Sequence, residues 1–154
     1  MFHVDPNNEG ESSLIGEGAE CHTVQVTSLD TLFPKGLSVR PRVIKIDVEG
    51  VEMSVLEGGQ RFFESQPPDM VICEINRGAA RNGDVEWDIR GFFKERGYRC
   101  ALINLGSVDA GLNLRGGRFY ATVPDDRLAA PDCPYVFNLM FLRNGSDLYQ
   151  EDVL

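Results

Sequence analysis

The stretch VIKIDVEGVEMSVLEGG, residues 43–59, sets Lys45, Asp47, Glu49 and Glu52 into a run that otherwise reads as a strand leading into a helix. Side chains alternate faces along a strand, so Lys45 and Asp47 share one face, about 7 Å apart, while Ile44, Ile46 and Val48 share the other. Asp47 closes the strand at its carboxyl end, which is where open α/β sheets bind ligands. Gly50 permits a tight strand-to-helix turn, and Glu49 and Glu52 flank it where a helix N-terminus favours negative charge. A further acid, Glu74, closes the apolar run MVICEI, with Asn76 and Arg77 just beyond. If the two strands are neighbours, their ends bring Asp47, Glu49 and Glu74 onto one rim. Carboxylates so placed can act as a general base, bind a hydroxyl or hold a divalent cation, Mg²⁺ or Mn²⁺ before zinc.

The same residues also have a purely structural use. Lys45 and Asp47 can form a buried ion pair while Glu49 and Glu52 serve as first-turn acids. Burying such a pair costs desolvation energy that apolar residues would avoid, so charges kept at the ligand-binding edge point toward a site.

Those charges need a scaffold. VIKID reads as a strand buried on both faces. Val51, Val55, Leu56, Phe62 and Phe63 then recur at helical spacing, with Gly58 and Gly59 set to bend or split the helix and Pro67-Pro68 to end it. After the strand MVICEI and a polar loop, a helix spans about Val85 to Arg96. Val85, Ile89, Phe92 and Phe93 form its apolar stripe, Asp84 its N-cap, and Gly97 its C′ residue. YRCALIN is a third strand, and YVFNLMFL a last one. Upstream, HTVQVTSLD alternates as a half-exposed strand, and DPNNEG turns between two short extended pieces. Residues 43–103 thus alternate strand, helix, strand, helix, strand, the pattern of a helix-covered parallel sheet. The expected organisation is a single α/β domain over residues 1–154. It comprises an N-terminal extended segment (1–42), the core (43–103), an irregular insertion with a hairpin turn at Gly116-Gly117 (104–134), and the last strand (135–143).

Composition narrows the function. A net charge of −9 with only 15 basic residues, and no basic stripe, excludes nucleic acid and anionic membrane surfaces as natural partners. No run approaches the roughly 20 apolar residues that cross a bilayer, and the first residues carry no signal-peptide pattern. Cys21, Cys73, Cys100 and Cys133 are scattered without a C-x-x-C pair, which speaks against zinc and for buried thiols in a reducing, cytoplasmic setting.

KIDVEGVEMSVLEGG, preceded by VQVTSLDTLF and followed by MVICEI, resembles the FkbM-like family of SAM-dependent methyltransferases. There a tLD segment leads to a K-I-D-x-E-G-x-E-x-x-V-L-x-G signature, and the next strand ends in Glu. FFKERGYRC and VFNLMFL are also similar to the family. The resemblance implies a partial Rossmann-like class I methyltransferase sheet, these strands matching the fourth to seventh, with the last running antiparallel between its neighbours. It implies methyl transfer from S-adenosylmethionine to an oxygen of a small molecule, often a sugar or polyketide hydroxyl. The signature falls on Lys45, Asp47, Glu49, Gly50 and Glu52, and the strand-end acid on Glu74. Asp47, Glu49 and Lys45 are then the expected catalytic residues, and Glu52, Glu74, Asn76 and Arg77 the substrate-binding ones.

The sequence departs from the family at its start, where the family carries a strand, a glycine-rich turn and a later acid that binds the SAM ribose, none of which is present. The D-x-G-A-N-x-G turn that cradles SAM is missing, and GEGAEC at 16–21 neither carries the third glycine nor opens a helix. The expectation is therefore the substrate-side, C-terminal portion of an O-methyltransferase, inactive without its SAM-binding half. Two alternatives stand beside it. One is a non-catalytic binding module that forms a homo-oligomer or pairs through an exposed strand 43–47. The other is a carboxylate–metal enzyme built on Asp47, Glu49 and Glu74.

Overall fold

The structure, a computed structural model, describes residues 2–4, 20–36, 40–76, 85–103, 120–121 and 136–148. Two short strands, β1 (Phe2–Val4) and β2 (Glu20–His22), pair antiparallel with His3 opposite Cys21. The strand expected over HTVQVTSLD stops at His22. Residues 23–28 join no ladder, and Val24 and Val26 stand 43% and 73% exposed. Among the described residues that alternation has no strand to pair with.

Among the described residues the main sheet has five strands, β3 (Val43–Ile46), β4 (Met70–Asn76), β5 (Tyr98–Ile103), β6 (Tyr120–Ala121) and β7 (Val136–Arg143), in the order β3-β4-β7-β5-β6. β3 and β4 are parallel, and β7 lies between β4 and β5, antiparallel to both. The sheet is therefore mixed, and β4 and β5 do not touch as the simple alternation of strand and helix suggested. The two-residue β6 pairs with Leu102 and Ile103. The expected turn at Gly116-Gly117, the helix cap Asp84 and Cys133 lie outside the described residues.

Among the described residues four helices accompany the sheet: α1 (Leu29–Leu32), α2 (Glu52–Glu57), α3 (Gln60–Ser65) and α4 (Val85–Glu95). One sheet face, carrying Ile46, Val71, Cys73, Leu139 and Phe141, packs with Leu56, Phe62, Phe63, Ile89 and Phe93 into the main core. Phe93 stacks on Phe141 with ring centroids 4.2 Å apart. Ile89 and Phe93 of the expected α4 stripe are fully buried, and Gly97, with φ of +76°, takes the left-handed position beyond the helix. Cys73 is a core residue, its thiol pushed well up by burial, whereas Cys21 is exposed, contrary to the expectation of buried thiols.

VIKID is not buried on both faces. Ile46 is 3% exposed, yet Val43 is 51% exposed and Lys45 is open to solvent. Among the described strands β3 is outermost, and the described helices cover only the face that carries Ile46.

The double glycine splits the expected helix into α2 and α3, and α1 fills the break. A Cβ on Gly59 would come within 3.0 Å of Leu29 Cδ1 and 3.2 Å of Phe63 Cε2. The Asp30 N–H donates to the Gly58 carbonyl at 3.0 Å. Asp30 Oδ1 accepts from the Phe62 N–H at 2.8 Å, and Oδ2 from the Arg61 N–H and Nε at 3.3 and 3.1 Å. Burial alone would raise its carboxyl; these donors outweigh it and hold the group below the usual range. Asp30 therefore caps α3 from a different element.

At the opposite end from the acids, Asp69 ties the strands together. Its side chain, 2% exposed, accepts from Arg40 at 3.1 Å, Arg42 at 2.7 Å and Arg143 at 2.8 Å. Arg42 also pairs with Asp147. The Arg143 bond leads, and although burial opposes it, the three guanidinium groups hold the Asp69 carboxyl far below its ordinary range. Nearby, the buried Tyr98 hydroxyl donates to the Pro68 carbonyl at 2.6 Å.

Candidate functional site

The parallel pairing of β3 with β4 sets Ile46 opposite Cys73. Asp47 and Glu74 follow one residue later, Asp47 just past the end of β3 and Glu74 two residues before the end of β4, on the face away from the main core. β7 sets Asn138 opposite Glu74. The chain then turns sharply: Glu49 has φ of +51° and Gly50 φ of +97°. A left-handed Glu costs about 1–2 kcal/mol that glycine would not, and such outliers cluster at functional sites.

The turn brings the acids together. Carboxylate oxygens of Asp47, Glu49 and Glu74 lie within 4.8 Å of one another. Lys45 Nζ donates to Asp47 Oδ2 at 2.5 Å, and Asn138 Nδ2, on a buried side chain, donates to Glu74 Oε2 at 3.5 Å. The Lys45–Asp47 pair is half-open, with the two side chains 56% and 34% exposed, not the buried pair of the structural alternative.

Partial burial raises the affinity of Glu74 for a proton, and the Asp47 charge adds to it. Asn138 and Lys45 pull the other way, and Glu49 reinforces the rise. Lys45 is held more firmly protonated, mainly by its bond to Asp47, against a smaller burial effect. The result is a carboxylate poised to take up a proton beside a fixed ammonium donor, the pairing that suits binding and deprotonating a hydroxyl.

The other expected site residues sort differently. Glu52 is 3% exposed, and its Oε1 accepts from the Gly50 N–H at 3.0 Å, so it pins the turn from inside. The backbone of Asn76 ends β4, and Arg77 lies outside the described residues. A groove of about 520 Å³ lies elsewhere, lined by Asp30, Phe33, Pro34, Lys35, Arg61, Glu64 and Ser65, and shares no residue with the acids.

Sequence reasoning missed Asn138, Asp30 and Asp69. For Asn138 the signal was a polar residue inside the apolar run YVFNLMFL. For Asp69 it was the Arg40-x-Arg42 pair leading into β3.

The family described as the methyltransferase FkbM domain matches residues 2–100. The chain belongs to that family. No curated protein and no solved structure matches it. The match spans β1 to the start of β5 and includes Lys45, Asp47, Glu49 and Glu74; Asn138 lies beyond it. Among the described residues no helix is long and apolar enough to cross a membrane.

The FkbM family implies SAM. SAM binding in such sheets rests on backbone N–H groups offered by a glycine-rich turn. The 154 residues carry no D-x-G-A-N-x-G turn, and in the glycine turn after β3 the Gly50 N–H is already taken by Glu52. The described residues do not fit SAM.

Proposed function

We propose that this FkbM-family chain supplies the acceptor side of a SAM-dependent O-methyltransferase. In this reading β3, β4, β5 and β7 correspond to the fourth to seventh strands of the class I methyltransferase sheet. The observation that carries it is the convergence of Asp47, Glu49 and Glu74 within 4.8 Å at the ligand-binding edge, next to the Lys45 ammonium. A small-molecule hydroxyl, as in a sugar or polyhydroxylated natural product, donates to Glu74 or Asp47 and accepts from Lys45. Glu74, whose proton affinity burial raises, takes the hydroxyl proton, and Glu49 holds a neighbouring hydroxyl. Substrate positioning by the rim accounts for much of the rate that such a site can supply. On this reading the cradle for the methyl donor comes from outside these 154 residues.

Saturation-transfer NMR against monosaccharides and other small polyols tests the proposal. Binding by the chain, weakened about 10-fold or more in Asp47→Asn and Glu74→Gln, is the expected result. Binding unchanged in both variants would reject the rim as the acceptor site. Calorimetry with SAM should show weak or no binding by the chain alone; tight binding would contradict the division of roles.

A second reading, a carboxylate–metal site, has the same three oxygens in its favour. Against it, the Lys45 ammonium already occupies Asp47.

A further inference from the structure

β7 runs VFNLMFLR, and Asn138 is its one polar residue ahead of the terminal Arg143. Its side chain is buried, at 5% exposure. Taking an amide out of water is costly unless it is hydrogen-bonded, and a leucine would fill the position without that cost. The register shows what the amide faces. Asp47 lies one residue beyond the Ile46–Cys73 pair, beside Glu74, and Asn138 is directly opposite Glu74. Three polar residues thus form one row across neighbouring strands, successive members about 4.8 Å apart. The next row on that face is Lys45, Ile72 and Met140, with Met140 buried among Ala101 and Leu142. Asn138 therefore sits where the acidic rim meets an apolar patch.

Asn138 Nδ2 donates to Glu74 Oε2 at 3.5 Å, and catalytic hydrogen bonds are often this long before substrate draws them in. The other groups that act on Glu74 are charged: Asp47 and Lys45 from β3 and its end, and Glu49 from the turn. Among them the amide alone is a neutral donor. Such a donor keeps its partner through proton uptake, because a carboxyl group protonated on Oε1 still offers Oε2 as a carbonyl acceptor. The bond is stronger to the carboxylate than to the acid. Asn138 therefore tempers the rise in proton affinity that burial and the Asp47 charge produce.

We propose that Asn138 is a positioning residue of the acceptor rim, holding Glu74 Oε2 in both protonation states so that Oε1 is the oxygen presented to the acceptor. When the acceptor O–H bond breaks, its proton goes to Oε1 and its electron pair stays on the acceptor oxygen. A leucine in place of Asn138 would leave Glu74 free to turn, and an aspartate would set a further negative charge against it. The assignment of Oε1 rests on the acceptor reading of the rim. The hold on Oε2 is a property of the free protein and is measured without a ligand.

Carboxyl-carbon NMR follows the Glu74 side chain through its titration, its signal identified by its loss in Glu74→Gln. In Asn138→Leu the midpoint should rise, and in Asn138→Asp it should rise further, because a like charge then replaces the donor. An amide that only fills space would leave the midpoint where it is. Wild-type protein supplies a test that needs no variant: the Asn138 side-chain ¹⁵N signal should titrate together with Glu74. Saturation-transfer binding of monosaccharides at pH 7 should weaken about 2–10-fold in Asn138→Leu, the loss of one hydrogen bond. A Glu74 midpoint unmoved in Asn138→Leu, or an Asn138 signal indifferent to the Glu74 titration, would overturn the proposal. A midpoint that moves as expected in a chain that binds no monosaccharide would uphold the hold on Oε2 and overturn the acceptor reading.

Discussion

Replacing Asp69 by Asn keeps the size of the side chain and removes the charge that three arginines share. Each hydrogen bond to a charged group is worth about 1.5–3 kcal/mol when both ends are buried. Asp69 is 2% exposed, but Arg40, Arg42 and Arg143 are 37%, 51% and 30% exposed, so water replaces part of each loss. Discounting by about half gives a total of about 2–4 kcal/mol at pH 7, or about 5–15 °C in Tm for a chain of this length. The carboxyl is depressed in the folded state, so its contribution is complete above the unfolded value of 3.8 and is lost as pH falls below it. Between pH 5 and pH 3 the wild-type advantage should shrink by about 1 kcal/mol, because the unfolded chain takes up the proton first. Urea melts of both proteins at the two pH values measure this. A gap below about 1 kcal/mol at pH 7, or one that does not narrow on acidification, would refute the reasoning.

The rim should behave in the opposite sense. Glu74 is raised in the folded state, so its contribution is complete below the unfolded value of 4.5 and is lost as pH rises through the folded one. Glu74→Gln should therefore melt about 1–3 °C above wild type at pH 8, with the gain gone by pH 4, while losing acceptor binding; a lower Tm at pH 8 would show a structural carboxylate instead. Gly59→Ala should cost about 1–3 kcal/mol, since its methyl would meet Leu29 Cδ1 at 3.0 Å and Phe63 Cε2 at 3.2 Å. A urea midpoint equal to wild type would mean that α1 does not seat in the α2–α3 break.

Much of the rim was legible because it rests on local rules. Strand alternation placed Lys45 with Asp47, Gly50 marked the turn, and the next apolar run ended in Glu74. The break at Gly58-Gly59 was visible for the same reason. What fills that break was not, because Asp30 reaches α3 across 31 and 32 residues of chain. Asp69 escaped for a similar reason, since two of its arginines precede it and the third lies at the end of β7. Glu52 was expected among the substrate-binding residues; its spacing says helix start and cannot say which way the side chain turns, and it turns inward to Gly50. VIKID looked doubly buried because three apolar residues in a strand do not reveal that it is outermost among the described strands.

The central claim is that the acids after β3 and β4 receive a hydroxylated small molecule. A ¹H–¹⁵N chemical-shift titration of the chain with a polyol identified in the NMR screen reads the binding face residue by residue. Shifts concentrated at Asp47 to Gly50 and at Glu74 and Ile75 are the predicted result. Shifts confined to Phe33, Lys35, Arg61 and Ser65 in the separate groove would contradict it.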